Sequence, residues 1–384
     1  MDAKIVGWGH TRFGALDQSF EDLIKCAANQ AIDMAGIDPS EIDGIWLGHF
    51  NGGLVPDAFA SSLVLGLDDR LRFTPATRVE NACASGSAAV YAARNAIRAG
   101  DARTVLVIGA EKMTDLDTKG VTEALAGASY QTEEAGVSFP QIFARVAQQY
   151  FQNFGDQSEA LARISVKNHL NALDNPLAQM QRAVSFDFCN TPSDKNPVIA
   201  PPLRLTDCSL ISDGAAALVM VDEDRSDVAH AARFRAAEQV NDFLPMSRRD
   251  MSTLEGAKRA FDLAYEQAGV TVDDIDLAEV HDCFTIAELM IYEAMGLAQT
   301  GQGARAVLDG IVQKDGRLPV NLSGGLKAKG HPVGATGVSM HVLAAQQVTG
   351  QAGALQKAGA ELAAVFNMGG SGVANYCSVL EASS

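Results

Sequence analysis

An α/β fold built from two copies of one strand–helix unit is what this sequence predicts, and three observations predict it. The segment Ala31-Ile-Asp-Met-Ala-Gly-Ile-Asp-Pro-Ser-Glu-Ile-Asp43 returns later as Ala264-Tyr-Glu-Gln-Ala-Gly-Val-Thr-Val-Asp-Asp-Ile-Asp276, at one constant offset. Two continuous apolar runs, Arg103–Gly109 and Glu361–Asn367, each follow a helix-like stretch and have the character of buried strands. The 384 residues are 47% apolar and 20% charged, with 35 glycines, which is the composition of a folded protein with tight turns and close helix packing. Strands alternating with helices give mainly parallel sheets covered by helices. Two copies imply two such layers related by a pseudo-twofold.

Taken in chain order, Ala31–Asp43 reads as an amphipathic helix stopped by Gly36, then an acidic turn, then a strand over Gly44–His49. The second copy repeats this, with its strand over Leu277–His281. The run Val79–Ala89 places Cys83 at the turn into a helix that closes at Ala99-Gly100. Free N–H groups and the positive dipole end at such a turn favour thiolate, which predicts a pKa below the ordinary value of about 8.5. The alternative is a small buried hydrophobe, and the flanking Ala84, Ser85, Gly86, Ser87, Ala88 and Ala89 permit both close packing and substrate access.

A long stretch between Thr114 and Pro202 interrupts the first copy and ends in Pro192, Pro197, Pro201 and Pro202. It reads as an insertion lying over the site, or as a structural or oligomerisation flap. The first copy resumes as a buried strand over Asp213–Val221. The predicted division is an N-terminal half over 1–250, with the insertion at about 114–202, and a C-terminal half over 251–384.

At the matching place in the second half, His331 sits in a glycine-rich loop before a helix from about Ala335 to Val348. A histidine there can take a thiol proton and stabilise oxyanion charge; a structural role is the alternative. No GxGxxG follows a strand and no GKS or GKT occurs, so a nucleotide-phosphate loop is the lesser reading. His281-Asp282-Cys283-Phe284 follows a strand directly, where functional groups gather in α/β sheets. Cys283 could act there as an acid/base and His281 as a donor to a carbonyl; a core cysteine and a capping histidine are the alternative.

The net charge of −17 argues against non-specific nucleic-acid or anionic-membrane binding. Six cysteines without CxxC pairs, and no signal peptide, predict a reducing cytoplasm. Zinc is not expected from the spacing of Cys and His. No apolar run approaches the roughly 18–20 residues of a membrane span. No Gly-x-Ser-x-Gly elbow for a hydrolase is present.

Asn81-Ala-Cys83-Ala-Ser-Gly86, His281-Asp-Cys-Phe284 and Gly330-His-Pro-Val-Gly-Ala-Thr-Gly337 resemble the three signature segments of the thiolase superfamily. The His-Asp-Cys-Phe form is similar to the sterol-carrier-protein-type branch, where commoner thiolases carry Asn-Glu-Ala-Phe. Gly109-Ala-Glu111-Lys-Met113 and Ser212-Asp-Gly-Ala-Ala-Ala217 also match. The resemblance implies a five-layered α-β-α-β-α core from two βαβαβαββ halves, and a homodimer or homotetramer.

It further implies an acyl-CoA C-acyltransferase, condensing acyl-CoAs or cleaving 3-oxoacyl-CoA through a cysteine acyl-enzyme. Cys83 would be the nucleophile, His331 its base, Cys283 the second acid/base, and His281 a neighbour of the thioester oxygen. The N–H groups of Cys83 and Gly369 would form a second oxyanion hole. Asn367-Met368-Gly369 stands where commoner thiolases have Cys-x-Gly, so Cys283 must substitute for the missing cysteine.

Coenzyme A or acyl-CoA is implied as substrate, with no tightly bound cofactor and no metal. Ser209 matches a serine near the pantetheine arm. Lys327, Lys329 and Arg204, with Arg182 and Lys167, are candidates for the CoA phosphates, or solvated charge. The alternatives are a thiolase-like acyltransferase or retro-aldolase on a non-CoA acceptor or steroid-type side-chain CoA ester, possibly with a small OB-fold partner, and an acyl-CoA-binding scaffold without turnover.

Overall fold

A computed structural model of the chain describes residues 2–225 and 230–383. The strands are β1 (Ala3–His10), β2 (Gly44–Gly48), β3 (Ala76–Val79), β4 (Thr104–Glu111), β5 (Val198–Ala200), β6 (Leu203–Arg204), β7 (Gly214–Asp222), β8 (Ala232–Asn241), β9 (Leu277–Val280), β10 (Leu362–Gly369) and β11 (Ala374–Ala382). The helices are α1 (Phe20–Ala35), α2 (Ala60–Leu63), α3 (Ser85–Ala99), α4 (Thr118–Ala126), α5 (Gln131–Glu134), α6 (Phe139–Phe154), α7 (Ser158–Asn171), α8 (Phe186–Asn190), α9 (Glu255–Ala268), α10 (Thr285–Ala294), α11 (Gly303–Leu308), α12 (Gly325–Ala328) and α13 (Val333–Val348).

Among the described residues nine strands form one mixed sheet in the order β3-β2-β4-β7-β1-β8-β11-β10-β9. Read inward from β2 on one side and from β9 on the other, the order repeats. β2 runs parallel to β4, β4 antiparallel to β7, and β7 antiparallel to β1. In the other half β9 runs parallel to β10, β10 antiparallel to β11, and β11 antiparallel to β8. Val320 bridges Ala278 in the place that β3 holds beside β2. The halves join where Lys4 and Ile5 of β1 pair with Arg233 and Ala232 of β8.

The duplication holds down to single hydrogen bonds. Gly36 and Gly269 end α1 and α9 with φ of 63° and 66°, the left-handed conformation that glycine takes without steric cost. Asp38 and Thr271 cap the two acidic turns. Asp43 accepts from the Arg103 and Thr104 amides at the head of β4, and Asp276 accepts from the Glu361 and Leu362 amides at the head of β10.

By topology the second copy opens with β8, which a boundary at 250/251 leaves in the first half. Burial alternates in the first part of β8, and the strand ends half-exposed. It therefore lacks the continuous apolar run that marks β4, β7 and β10 in the sequence.

Alternating side chains build the layers. Leu106, Ile108 and Ala110 of β4 face α1, while Val105 and Val107 face the core that holds α3 and α13. In β10, Ala363 and Val365 face that same central core, and Ala364, Phe366 and Met368 face α9 and α10. The result is helix, sheet, helix pair, sheet, helix: the five layers expected. α13 is buried on every side except at Gln346, as its nearly continuous apolar and small sequence requires.

Small residues let α3 and α13 cross closely. A Cβ on Gly86 would stand 2.8 Å from the Gly334 carbonyl oxygen, and one on Gly337 only 2.2 Å from the Ser87 amide nitrogen. This crossing brings together the two N-terminal turns that carry Cys83 and His331. The insertion folds as α4–α8 and the β5–β6 ribbon, and Val121, Leu125 and Phe139 from it roof the cavity above Cys83.

Candidate active site

Cys83 lies two residues before α3, in a turn where Ala82 takes a φ of 52°. That conformation costs a residue with a Cβ about 1–2 kcal/mol, so the turn must be held. The Ser85 hydroxyl does so, accepting from the Asn81 amide and donating to the Ala82 carbonyl. The Asn81 side chain is itself anchored on the Tyr376 hydroxyl at 2.7 Å.

The thiol is not depressed as its helix position predicts. Burial pushes Cys83 up to about 12, with Glu111 and Glu80 adding to the rise and the Gly370 and Cys83 amides opposing it. Desolvation in an apolar cavity outweighs a helix end that starts two residues downstream. The resting group is a thiol and needs a base.

His331 brings a ring nitrogen within 4.8 Å of the Cys83 sulfur. The Thr336 hydroxyl donates to the Pro332 carbonyl at 3.0 Å, so toward His331 Nδ1, 2.7 Å away, it must accept. His331 is thereby assigned as the Nδ1–H tautomer, with the Nε2 lone pair free for the cavity. Burial and then the Lys329 ammonium hold its pKa down to about 3, so it rests neutral. The Ser212 hydroxyl accepts from the His331 amide at 2.9 Å and fixes the loop.

His281 follows β9 and stacks edge-on against His331, with ring centroids 5.2 Å apart. One ligand-capable atom from each of Cys83, His281 and His331 lies within 4.8 Å of the others. Three residues far apart in the chain therefore form a sulfur–nitrogen–nitrogen cluster, a donor set of the kind soft divalent metals take. The Asn367 side-chain nitrogen touches both the Cys83 carbonyl, at 3.1 Å, and His281 Nδ1, at 2.9 Å.

Cys283 is buried and shares the cavity wall with Cys83, Ser209 and His331. Burial first, then Cys83 and Asp282, raise its pKa well above the ordinary value. The cavity measures about 240 Å³ and is lined mainly by apolar side chains, among them Phe50, Met113, Val121, Leu125, Phe139 and Leu205. Gly369 lies in β10 paired with Ala374, and the amide laid against the Cys83 sulfur is that of Gly370.

The expected CoA-phosphate cations fall largely inside the protein. Arg204 is buried and pairs with Asp207 at 2.8 Å. Lys329 is fully buried and donates to Ser339, and Lys167 pairs with Glu288 at 2.7 Å. Lys327 is 4% exposed, and burial lowers its pKa, opposed by Cys208, Asp207 and Asp282. Of this set only Arg182 is exposed. These cations balance internal carboxylates, a pairing that long-range folding creates and local sequence does not display.

Several residues of the site went unassigned by sequence reasoning. Glu111 accepts from the amides of Phe50, Asn51 and Gly334 and pairs with His49 at 2.9 Å, tying the ends of β2 and β4 to the head of α13. Glu111 and Ser212 both lie in segments that matched the family, and Thr336 lies inside the histidine motif; that membership was the available signal. Asn367 and Gly370 carried no positive signal of a role.

Residues 3–224 match the family described as thiolase, N-terminal domain, and residues 237–382 match the thiolase C-terminal domain-like family. The chain is 39% identical to an acetyl-CoA acetyltransferase of Methanothermobacter thermautotrophicus, over 97% of both chains. It is 33% identical to human sterol carrier protein 2, over 95% of this chain and 69% of that protein. Among solved structures, the Ltp2-ChsH2(DUF35) aldolase superposes with a TM-score of 0.84 at 25% identity, covering 99% of this chain and 98% of that one. With both domain families matched in order across nearly the whole chain and the Cys83–His331–His281 cluster assembled between them, this chain belongs to the thiolase family.

Proposed function

We propose that this chain is an acyl-CoA C-acyltransferase that works through an acyl-enzyme on Cys83. Thiolase-type acyltransferase activity follows from the family; the residue roles are supported by the geometry. Cys83 Sγ attacks the thioester carbonyl while His331 Nε2 takes the thiol proton, and that proton leaves with the CoA sulfur. The oxyanion of that attack falls to the backbone N–H groups around Cys83, and the enolate oxygen of the second acyl-CoA to His281. His331 then takes the Cys283 proton, and the resulting thiolate removes the α-proton of a second acyl-CoA. The carbanion attacks the parked acyl group while the departing Cys83 sulfur recovers the proton held on His331; in the cleavage direction the Cys283 thiol protonates the leaving carbanion. The observation that carries this reading is that both sulfurs and the base share the wall of one apolar cavity.

The decisive experiment pairs two variants. Cys83→Ala abolishes the acetyl adduct seen by mass spectrometry after mixing with acetyl-CoA. Cys283→Ala keeps that adduct but loses the acetoacetyl-CoA enolate absorbance at alkaline pH. An acetyl adduct on Cys83→Ala, or unimpaired thiolysis by Cys283→Ala, contradicts the assignment.

A second reading, retro-aldol cleavage of a bulkier CoA ester with a small OB-fold partner, is favoured by the aldolase neighbour and by cavity size. A dry cavity of about 150 Å³ already holds a benzene ring, so one of about 240 Å³ exceeds an acetyl group's needs. Cleavage of such an ester by Cys83→Ala would select this reading, because a retro-aldol step needs no acyl-enzyme. As partner for the first reading we place a second copy of the chain against the open edge of β3.

A further inference from the structure

Asn367 stands where the sequence lacks the second cysteine of commoner thiolases, and the structure gives it a position with one consequence. Its side-chain nitrogen lies 3.1 Å from the Cys83 carbonyl oxygen. A carbonyl only accepts, so the nitrogen and not the oxygen of the amide must face it. That fixes which way the amide points. The same nitrogen lies 2.9 Å from His281 Nδ1, so its second hydrogen meets that ring atom, which must accept. A neutral imidazole that accepts at Nδ1 carries its proton at Nε2. His281 Nε2 is buried and has no hydrogen-bond partner among the described residues, and neither has the Asn367 side-chain oxygen.

Leaving two buried polar atoms unpaired costs stability. His281 gives one ring nitrogen to the Cys83–His331 cluster. With Nδ1 taken by Asn367, that nitrogen is assigned as Nε2, whose unpaired N–H then has an evident use, namely a substrate oxygen that gains charge. The opposite tautomer would instead turn a lone pair toward the cluster, leaving sulfur and two imidazole nitrogens open to a soft cation.

We propose that Asn367 is a positioning residue that locks the tautomer of His281, presenting Nε2–H as an oxyanion donor and denying the Cys83–His281–His331 cluster to a divalent metal. The catalytic consequence rests on the acyltransferase reading above; the tautomer and the metal response do not.

The test begins on the free wild-type enzyme, with long-range ¹⁵N–¹H spectra of the uniformly labelled protein and His281→Gln to identify the signal. His281 is expected as the neutral Nε2–H form, and an Nδ1–H form overturns the proposal outright. The second arm is Asn367→Asp, of nearly equal shape, whose carboxylate can only accept. His281 is then expected to change to Nδ1–H, and kcat to fall about 10²–10³-fold, the usual effect of removing one oxyanion donor, with KM little changed.

The variant is also expected to bind one equivalent of Co²⁺ with a thiolate charge-transfer band, because a carboxylate behind a histidine is the arrangement that favours metal ligation. Equal Co²⁺ binding by wild type and variant, or an Asn367→Asp enzyme that keeps Nε2–H, sinks the lock. Failure of the acyltransferase reading would show separately, as a wild-type enzyme that forms no acyl adduct on Cys83.

Discussion

At the scale of residues, the site is a neutral pair awaiting substrate. Cys83 is held as a thiol by burial, with a pKa of about 12, and His331 as a neutral imidazole, with one of about 3. The signs are opposite: burial raises an acid that ionises to an anion and lowers a base that ionises to a cation. No thiolate–imidazolium pair therefore pre-exists near neutral pH. The rate of Cys83 alkylation by iodoacetamide in the free enzyme should keep rising above pH 10, where an exposed cysteine, with its ordinary value of about 8.5, has levelled off. A plateau reached below pH 8 would mean a preformed ion pair. Cys83, His281, Cys283 and His331 were legible because each sits in a short motif of small residues or at a strand end. The groups that set their protonation were not. Asn367 and Glu111 act through contacts that exist only once the two halves have packed, and Thr336 acts through the turn that the His331 loop itself makes.

At the scale of elements, the meeting of Cys83 and His331 depends on how closely α3 and α13 approach. A methyl group on Gly337 would meet backbone, the Ser87 amide nitrogen at 2.2 Å, which cannot rotate aside. Alanine is the better helix former by about 1 kcal/mol. A clash at that distance outweighs it, since overpacking a tight core costs about 1–3 kcal/mol. Gly337→Ala should therefore lower the urea midpoint and slow acetyl-adduct formation, because α13 carries the His331 loop. Gly127→Ala is the control: its Cβ would stand 3.7 Å from the nearest atom, and its stability should stay within about 0.5 kcal/mol of wild type. A Gly337→Ala protein as stable and as quickly acylated as this control would refute the argument. The crossing was only half legible. Small residues in both motifs announced close packing, but nothing local said that each motif packs on the other. The repeated helix–turn–strand segment was plain because its caps, Gly36 and Gly269 and Asp43 and Asp276, are fixed by backbone needs that recur with the topology.

At the scale of the whole molecule, the two copies differ at their outer edges. In the second half the place of β3 is taken by Val320, whose carbonyl accepts from the buried Lys167 ammonium at 2.7 Å. An inward charge of this kind blunts an edge. In the first half β3 is the end of the sheet, its Thr77 and Arg78 are exposed, and Phe73 nearby is 85% exposed. An open edge invites a second strand. We therefore expect two copies to pair antiparallel along β3 and continue the sheet across a twofold axis. Light scattering on the purified chain should give twice 40.4 kDa. The net charge of −17 on each copy opposes this at long range, but at physiological salt screening confines that repulsion to about 8 Å, so dilution at low salt should favour the monomer. Successive amides of an edge strand alternate between its neighbour and the open side, so proline at Thr77 or at Arg78 removes an outward donor in one of the two cases. That variant should run as a folded monomer. A wild-type chain that is monomeric at micromolar concentration, or two proline variants that both stay dimeric, would place the assembly elsewhere.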